Sequence, residues 1–235
     1  MRLLFRMKII NEIKRLIHTD RKLERLKKGN VPVFIRKLTD KFLQNKNCLI
    51  IGNGVYAIWP LKKDSIVYSG GLDADASFEL GLINKFNSTV YAFDPTKKCS
   101  DFMKGIKNKN LKYYNQGVSY KNGRFKLDDK IFYDCISLVD FARENKHKEI
   151  DLVKLDIEGY EYKVIREILE SEIIVNQIVL ELHGWMLDFS KEEDDKLKKV
   201  LKRKGYQLVY KNLDNYTFVK NRIINRDKIN KWVWT

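Results

Sequence analysis

Apolar and polar positions alternate in blocks along the middle of the chain, and the length of each block indicates the element it forms. Ile66–Tyr68 is a short apolar strand, Phe78–Phe86 has the apolar spacing of a helix, and Thr89–Phe93 is a second apolar strand. A loop of mostly small residues, Ser69–Ser77, joins the first strand to the helix, and Asp94-Pro95 ends the second strand. The pattern predicts a β-α-β unit with glycines at its first turn and a carboxylate at the tip of its second strand. That is the outline of a nucleoside-cofactor site.

The same alternation continues along the rest of the chain, and two short strand signals precede it around a Gly52-Asn53-Gly54 turn. The predicted elements after Asp94 are a helix to about Lys107, a strand Leu111–Asn115, a hairpin turn at Asn122-Gly123 that returns through Arg124–Leu127, a helix Ser137–Glu144, a strand Leu152–Leu155, a helix Tyr162–Leu169, a strand Ile178–His183, a helix Asp194–Lys204, and a hairpin of Tyr206–Tyr210 with Asn215–Val219. Strands that alternate with helices favour an α/β fold with a doubly wound, mostly parallel sheet, here closed by a C-terminal antiparallel hairpin.

In a doubly wound sheet, ligands bind outside the carboxyl ends of the strands. The glycines and polar residues that follow the predicted strands all fall at that edge: Gly70, Gly71, Asp75, Asp94, Asp156, Glu158 and His183. Glycine lets the backbone approach a ligand because no Cβ intervenes, and a carboxylate accepts hydrogen bonds from ribose hydroxyls. This convergence predicts an active site at the edge.

Four other aromatic and histidine residues are less informative. Tyr56 and Trp59 lie just ahead of the glycine loop, where they either stack on a ligand or, as we favour, pack in the core. His18 and His147 lie in basic surroundings and are predicted to be solvated. Among the histidines, only His183 therefore enters the predicted site.

Charge is unevenly distributed along the 235 residues, which carry a formal net charge of +15. Residues 1–46 hold 14 Lys and Arg against 4 Asp and Glu, and so contribute +10 of it. We predict a basic helical extension at 1–46 and a mildly basic domain at 47–235, long enough for one sizeable core. This distribution disfavours a uniformly basic nucleic-acid enzyme.

The extension has the pattern of an amphipathic helix over residues 3–28. One face carries Ile9, Ile10, Ile13, Leu16 and Ile17, and lysines and arginines fill the other positions. The favoured interpretation is a helix that packs on its own domain or on a second copy of the chain, which would make a homodimer. Peripheral contact with an anionic membrane surface and RNA binding are the alternatives.

Cysteine usage and hydropathy bear on the cellular compartment. Cys48, Cys99 and Cys135 are few and far apart, which suits free thiols in a reducing cytosol rather than a disulfide framework or a zinc site. No apolar run approaches the roughly 20 residues of a membrane span, and we do not predict a signal peptide in the first ten residues. We predict a cytoplasmic protein, with a peripheral position at the inner membrane face as the alternative.

Several of these segments resemble one family, the FkbM-type S-adenosylmethionine-dependent methyltransferases of the class I Rossmann-like group. The most specific segment is Ile150–Glu161, with the sequence IDLVKLDIEGYE, and VYAFDP at Val90–Pro95 and IVLELH at Ile178–His183 also match. NQGVS at Asn115–Ser119, followed by a turn, matches as well. The resemblance covers roughly residues 53–220.

The resemblance implies transfer of a methyl group from S-adenosyl-L-methionine to an oxygen, often a hydroxyl of a sugar or of a surface-glycan precursor. By similarity, Asp94 would hold the adenosine ribose and Asp156 would lie beside the methyl group, with Glu158 near it. His183 is the candidate for accepting the proton of the substrate hydroxyl, since a near-neutral imidazole suits that role. The other cofactor-binding residues implied are Ser69, Gly70, Gly71, Asp75, Gly117 and Val118.

The sequence departs from the family pattern at the first motif. Tyr68 stands where relatives carry an acid, and Ala74 stands near an expected glycine. Asp73 or Asp75 is the candidate to replace the missing carboxylate at the cofactor's ammonium group. This departure keeps a non-catalytic scaffold on a degenerate fold as one alternative, and an RNA methyltransferase is the other. A metal site of Asp156, Glu158 and His183 is chemically feasible, but the spacing matches no recognised ligand motif, and we predict none.

Overall fold

The computed structural model describes residues 43–126, 131–182 and 191–232. The strands, numbered β1 to β15 in chain order, span Leu43–Gln44, Leu49–Ile51, Tyr56–Ile58, Ile66–Gly70, Thr89–Phe93, Leu111–Tyr114, Gly117–Ser119, Gly123–Lys126, Phe132–Ser137, Glu149–Ile150, Leu152–Leu155, Ile174–Val175, Gln177–Glu181, Tyr206–Asn212 and Asn215–Lys220. The helices, numbered α1 to α6, span Ser77–Phe86, Lys97–Met103, Leu138–Glu144, Glu161–Glu170, Lys191–Arg203 and Asn221–Trp232.

The main sheet of the described residues has eight strands in the order β1-β14-β15-β13-β11-β4-β5-β6. Strands β4, β5, β6, β11 and β13 are parallel, and β15 and β14 are antiparallel additions at one side. The chain moves outward from β4 to β6 and then returns to the other side of β4 through β11. The strand order therefore reverses between β4 and β11, and ligands bind at such a switch point. The predicted fold class is confirmed.

Helices cover both faces of this sheet because its central strands are apolar on both sides. Residues from α1 and α2 pack with Val67, Val90 and Leu152 on one face. Residues from α3, α4 and α5 pack with Tyr68, Val153 and Leu155 on the other. Successive side chains of a strand point to opposite faces, so Tyr68 and Ser69 face different layers.

A small second sheet, in the order β7-β9-β8, corrects one sequence prediction. The turn at Asn122-Gly123 was expected to pair its two flanking strands, but β7 and β8 are not paired with each other. Both pair with β9, a strand that the pattern did not reveal, and Ser137 Oγ caps α3 directly after it. Helix α2 ends at Met103 rather than near Lys107, and α6 was also missed. The sequence of β9 does not alternate between apolar and polar residues over its whole length, so the periodic signal was weak.

Some predictions lie outside the described residues. These are the amphipathic helix of the extension and the position of His183. Across the part of the chain that the structure describes, no helix is both long and apolar enough to cross a membrane. The three cysteines are free, as the sequence predicted, and they are also buried.

Candidate active site

The glycine turn after β4 requires its second glycine for steric reasons. Gly71 has a φ of +78°, and a Cβ added there would lie 1.8 Å from the carbonyl oxygen of Asp156. The Asp156 amide in turn donates to the Gly70 carbonyl at 3.1 Å, and the Gly71 amide donates to the Phe93 carbonyl at 2.9 Å. The ends of β4, β5 and β11 are thereby held together, which brings the three predicted motifs to one edge.

Asp94 is at that edge, but its carboxylate is already engaged. Oδ2 accepts from the backbone amides of Leu72 and Asp73 at 2.9 and 3.2 Å. Oδ1 accepts from the amide and the hydroxyl of Thr96 at 2.9 and 2.6 Å. A carboxylate has about four acceptor positions, and the side chain is buried. In this structure Asp94 fastens the glycine loop, and its role toward a ribose stays a prediction.

A cavity of about 250 Å³ opens beside this loop at the switch point. Five carboxylates line it, and the one ammonium among its lining residues belongs to Lys154: the acids are Asp73, Asp75, Glu79, Asp156 and Glu181. The chain as a whole carries a net charge of +15, so this acidic surface is a local feature. Its charge is complementary to a cationic ligand.

Tyr56 connects two of the cavity carboxylates. Its hydroxyl donates to Asp156 Oδ2 at 2.7 Å and lies 3.5 Å from Glu181 Oε2. Burial, together with the charge of Asp156 and a hydrogen bond to it, raises the pKa of Tyr56 far above its usual value. Tyr56 therefore stays protonated and acts as a donor that orients Asp156. It is mostly buried, as we favoured, yet its hydroxyl belongs to the site.

Lys154 is a functional residue that the sequence argument passed over. It is buried in the middle of β11, and its ammonium donates to the Gly71 carbonyl. The same ammonium lies 3.7 Å from Asp156 Oδ2 and 4.9 Å from the centre of the Tyr56 ring. A lysine inside an otherwise apolar strand was the available signal, since buried lysines are rare unless paired.

Glu79 is the second residue that was missed. It lies in the first turn of α1 and is 1% exposed, and its Oε1 accepts from Ser69 Oγ at 2.5 Å. Burial raises the pKa of Glu79, and the Lys154 ammonium opposes that rise. An acid on the apolar side of a helix, next to Phe78 and Leu82, was the signal.

Of the other residues predicted for the site, some line the cavity and others do not. Asp75 lines the cavity, but its two oxygens accept from Ser77 N and Asn53 Nδ2. Glu158 follows Asp156 in a left-handed conformation with a φ of +54°, is exposed, and does not line the cavity. Gly117 and Val118 are buried, and Val118 packs where a Cβ on Gly70 would stand. His183 lies outside the described residues, so only Asp156 of the predicted catalytic set is placed in the cavity.

The side chain of Tyr68, the residue that departs from the family's first motif, faces the core. Its side chain is fully buried on the face opposite α1, and its hydroxyl is 2.7 Å from His147 Nδ1. The two rings, with Tyr91 and Phe141, form an aromatic cluster. The prediction that His147 is solvated is wrong, because Tyr68 and the neighbouring aromatic rings partly bury it. Position 68 therefore contributes to the core and not to the cavity.

Comparison with known proteins gives a family match and two similar curated proteins. The model of the family described as methyltransferase FkbM domain matches residues 72–208, more than half of the chain. The human protein described as probable methyltransferase-like protein 24 is 25% identical over 187 residues, which cover 73% of this chain and 50% of that protein. The rat protein of the same description is 24% identical over the same lengths. The chain thus spans about half the length of the curated relatives it matches.

Two solved structures illustrate the wider similarity. The fibrillarin pre-rRNA processing protein of Methanococcus jannaschii has a TM-score of 0.45 and 14% identity, over 69% of this chain and 68% of that one. The N-terminal domain of human METTL16, solved in complex with SAH, has a TM-score of 0.41 and 14% identity, over 67% of this chain and 60% of that one.

Proposed function

Because this chain belongs to the methyltransferase FkbM domain family, and is therefore an S-adenosylmethionine-dependent methyltransferase, we propose that it methylates a hydroxyl of a sugar or surface-glycan precursor. The observation that supports the cofactor part of this proposal is the acidic cavity at the switch point. S-adenosylmethionine carries a sulfonium and an ammonium group, so five carboxylates beside one lysine fit it. The glycine turn beside the cavity is held close to the backbone of Asp156, because an added Cβ at Gly71 would lie 1.8 Å from the Asp156 carbonyl oxygen.

When bound, S-adenosylmethionine supplies a methyl group activated by a positively charged sulfur. The chain's own task is to position a hydroxyl in line with that methyl group and to accept the hydroxyl's proton. The carboxylates of Asp156 and Glu181 line the cavity and are suited to accept it. The Tyr56 hydroxyl fixes Asp156, and Lys154 fixes the loop that borders it. A hydroxyl is a weak nucleophile, so this proton acceptance is where the residues contribute most.

The proposal is tested by separating cofactor binding from methyl transfer. We expect the protein to bind S-adenosylhomocysteine in calorimetry and to transfer a labelled methyl group to sugar or glycan acceptors. Asp156→Asn keeps the shape of the side chain but removes the proton acceptor, so turnover should fall about 100- to 10,000-fold. Asp134→Asn, at an exposed acid outside the cavity, is the matched control and should leave turnover unchanged. Full turnover in Asp156→Asn would contradict the assigned role, and absence of any cofactor binding would contradict the function.

RNA as the acceptor is the second candidate, and one surface favours it. A groove between α4 and α5 is lined by six cationic side chains and one acid: Arg166, Lys196, Lys199, Lys202, Arg203, Lys204 and Glu170. Counting the label in RNA and in glycan fractions separately discriminates the two acceptors. Label in neither fraction, with cofactor still bound, would favour a non-catalytic scaffold.

A further inference from the structure

One buried oxygen in the cavity wall has no hydrogen-bond partner. Glu79 Oε1 accepts from Ser69, but Oε2 has none among the described residues and is shielded from solvent. Leaving a buried carboxylate oxygen unsatisfied is costly, and such an atom in a folded protein calls for an explanation. Because Glu79 lines the cavity, a ligand is the partner that the position allows.

Lys154, the one cationic residue among those lining the cavity, is not the partner of Glu79 Oε2. Lys154 also lines the cavity, but its ammonium donates to the carbonyl of Gly71 and lies 3.5 Å from that of Gly70. Lys154 therefore supports the loop and leaves Glu79 Oε2 without a donor. The ligand group at this oxygen must itself be a hydrogen-bond donor, and a positively charged one gives the strongest bond.

The two acids that the sequence suggested for this role are engaged elsewhere. Asp73 pairs with Lys98 at 2.6 Å, and 89% of its side chain is exposed. Asp75 accepts from Ser77 N and from Asn53 Nδ2, and it is also exposed. A charge pair at such exposed positions contributes little because water screens it. Glu79 is the buried carboxylate that remains.

We propose that Glu79 Oε2 binds the α-ammonium group of the methionine moiety of S-adenosylmethionine, and that Ser69 positions it by holding Oε1. The inference rests on the proposed cofactor. It places the required carboxylate on α1, because the strand position that would carry it is occupied by the core residue Tyr68. Burial disfavours the charged form of Glu79, and a bound ammonium would restore it.

The test is a calorimetric cycle over two proteins and three ligands. Wild type and Glu79→Gln are titrated with S-adenosylhomocysteine, with its deaminated analogue, and with methylthioadenosine, which lacks the whole amino-acid end. Removing the carboxylate charge should weaken S-adenosylhomocysteine binding about 10- to 100-fold. It should leave the other two ligands within about threefold of wild type, since neither has the ammonium. Ser69→Ala should show the same selectivity to a smaller degree.

Glu167→Gln is the matched control, because Glu167 also accepts from a serine, Ser137, and also has an unpaired buried oxygen, but lies outside the cavity. It should change binding of no ligand. Equal weakening of all three ligands in Glu79→Gln, or of none, would overturn this inference while leaving the proposed function standing. Failure of wild type to bind any of the three would instead overturn the proposed function. Circular dichroism of each variant confirms that the fold is retained.

Discussion

At the scale of the residue, the site depends on how closely two backbones approach. The Asp156 carbonyl occupies the space that any side chain at position 71 would need, so the contact depends on the absence of one atom. The Lys154 ammonium also donates to the Gly71 carbonyl. The backbone of this turn is thus held by neighbours on both β5 and β11, and a small change here is transmitted to the cavity directly.

Gly71→Ala should therefore abolish cofactor binding. The added Cβ would force the turn away from Asp156 and would also strain a left-handed backbone. Gly205 gives a matched control, since its φ is +82° but nothing lies within 4 Å of an added Cβ. We expect Gly205→Ala to cost only about 1–2 kcal/mol of stability and to retain binding. Titration with S-adenosylhomocysteine and thermal unfolding measure both; normal binding in Gly71→Ala would refute the steric argument.

Ala74 occupies a conformation that its side chain disfavours. Its φ is +58°, and the sequence comparison with the family expected a glycine near this position. Ala74→Gly should raise the free energy of unfolding by about 0.5–1 kcal/mol, because the left-handed strain exceeds the added chain entropy. Ala142→Gly, inside α3, should have the opposite sign. Urea unfolding measures both changes, and a destabilised Ala74→Gly would contradict this account.

His147 should make folding stability depend on pH. Burial and the nearby Lys112 ammonium lower the pKa of His147 in the folded protein. The unfolded chain then binds more protons below about pH 6.5, so stability is lost as the pH falls through that value and toward the folded pKa. His147→Gln keeps a partner for the Tyr68 hydroxyl without titrating. Its unfolding free energy should fall less than that of wild type between about pH 7.5 and 5.5; equal slopes would refute the assignment.

At the scale of the element, the β2–β3 hairpin delivers Tyr56 to the cavity because it is fastened to the main sheet. Gln177 on β13 accepts from the Trp59 amide at 2.6 Å and donates to the Trp59 carbonyl at 3.1 Å. Thr217 on β15 adds a hydroxyl bond to the Ala57 carbonyl at 2.5 Å. The position of the Tyr56 hydroxyl is therefore set by buried amide contacts with strands far along the chain.

Gln177→Leu should loosen this attachment. It leaves the buried amide and carbonyl of Trp59 unpaired, at a cost of about 2–4 kcal/mol in the free energy of unfolding. Methyl transfer should decline with it, because Tyr56 no longer fixes Asp156. Gln207→Leu, at an exposed glutamine on β14, is the control and should change neither. Urea unfolding and turnover are the measurements, and unchanged stability in Gln177→Leu would contradict the role of the amide pair.

The sequence predicted the order of the elements and the edge at which they meet. Strands β5 and β11 match their predicted bounds because both are short, apolar and enclosed by turn residues. It did not predict the roles of Glu79 and Lys154, because the sequence alone does not show that these two residues of different elements line the same cavity. Nor could it show that Asp94 is already engaged, because three of its four donors are backbone amides that carry no sequence signal.

At the scale of the whole molecule, the net charge of the chain and the charge of the cavity have opposite signs. The net charge of +15 favours the approach of anionic molecules. The cavity has the opposite sign and suits the cationic cofactor.

The four hydrogen bonds at Asp94 also have a kinetic consequence. The turn that borders the cavity keeps its shape through contacts within the chain, so a ligand entering it has little ordering to bring about. Association should then proceed in one phase at an ordinary diffusional docking rate, without a slow rearrangement afterwards. Differences in affinity between the cofactor and its product would then lie mainly in their dissociation rates.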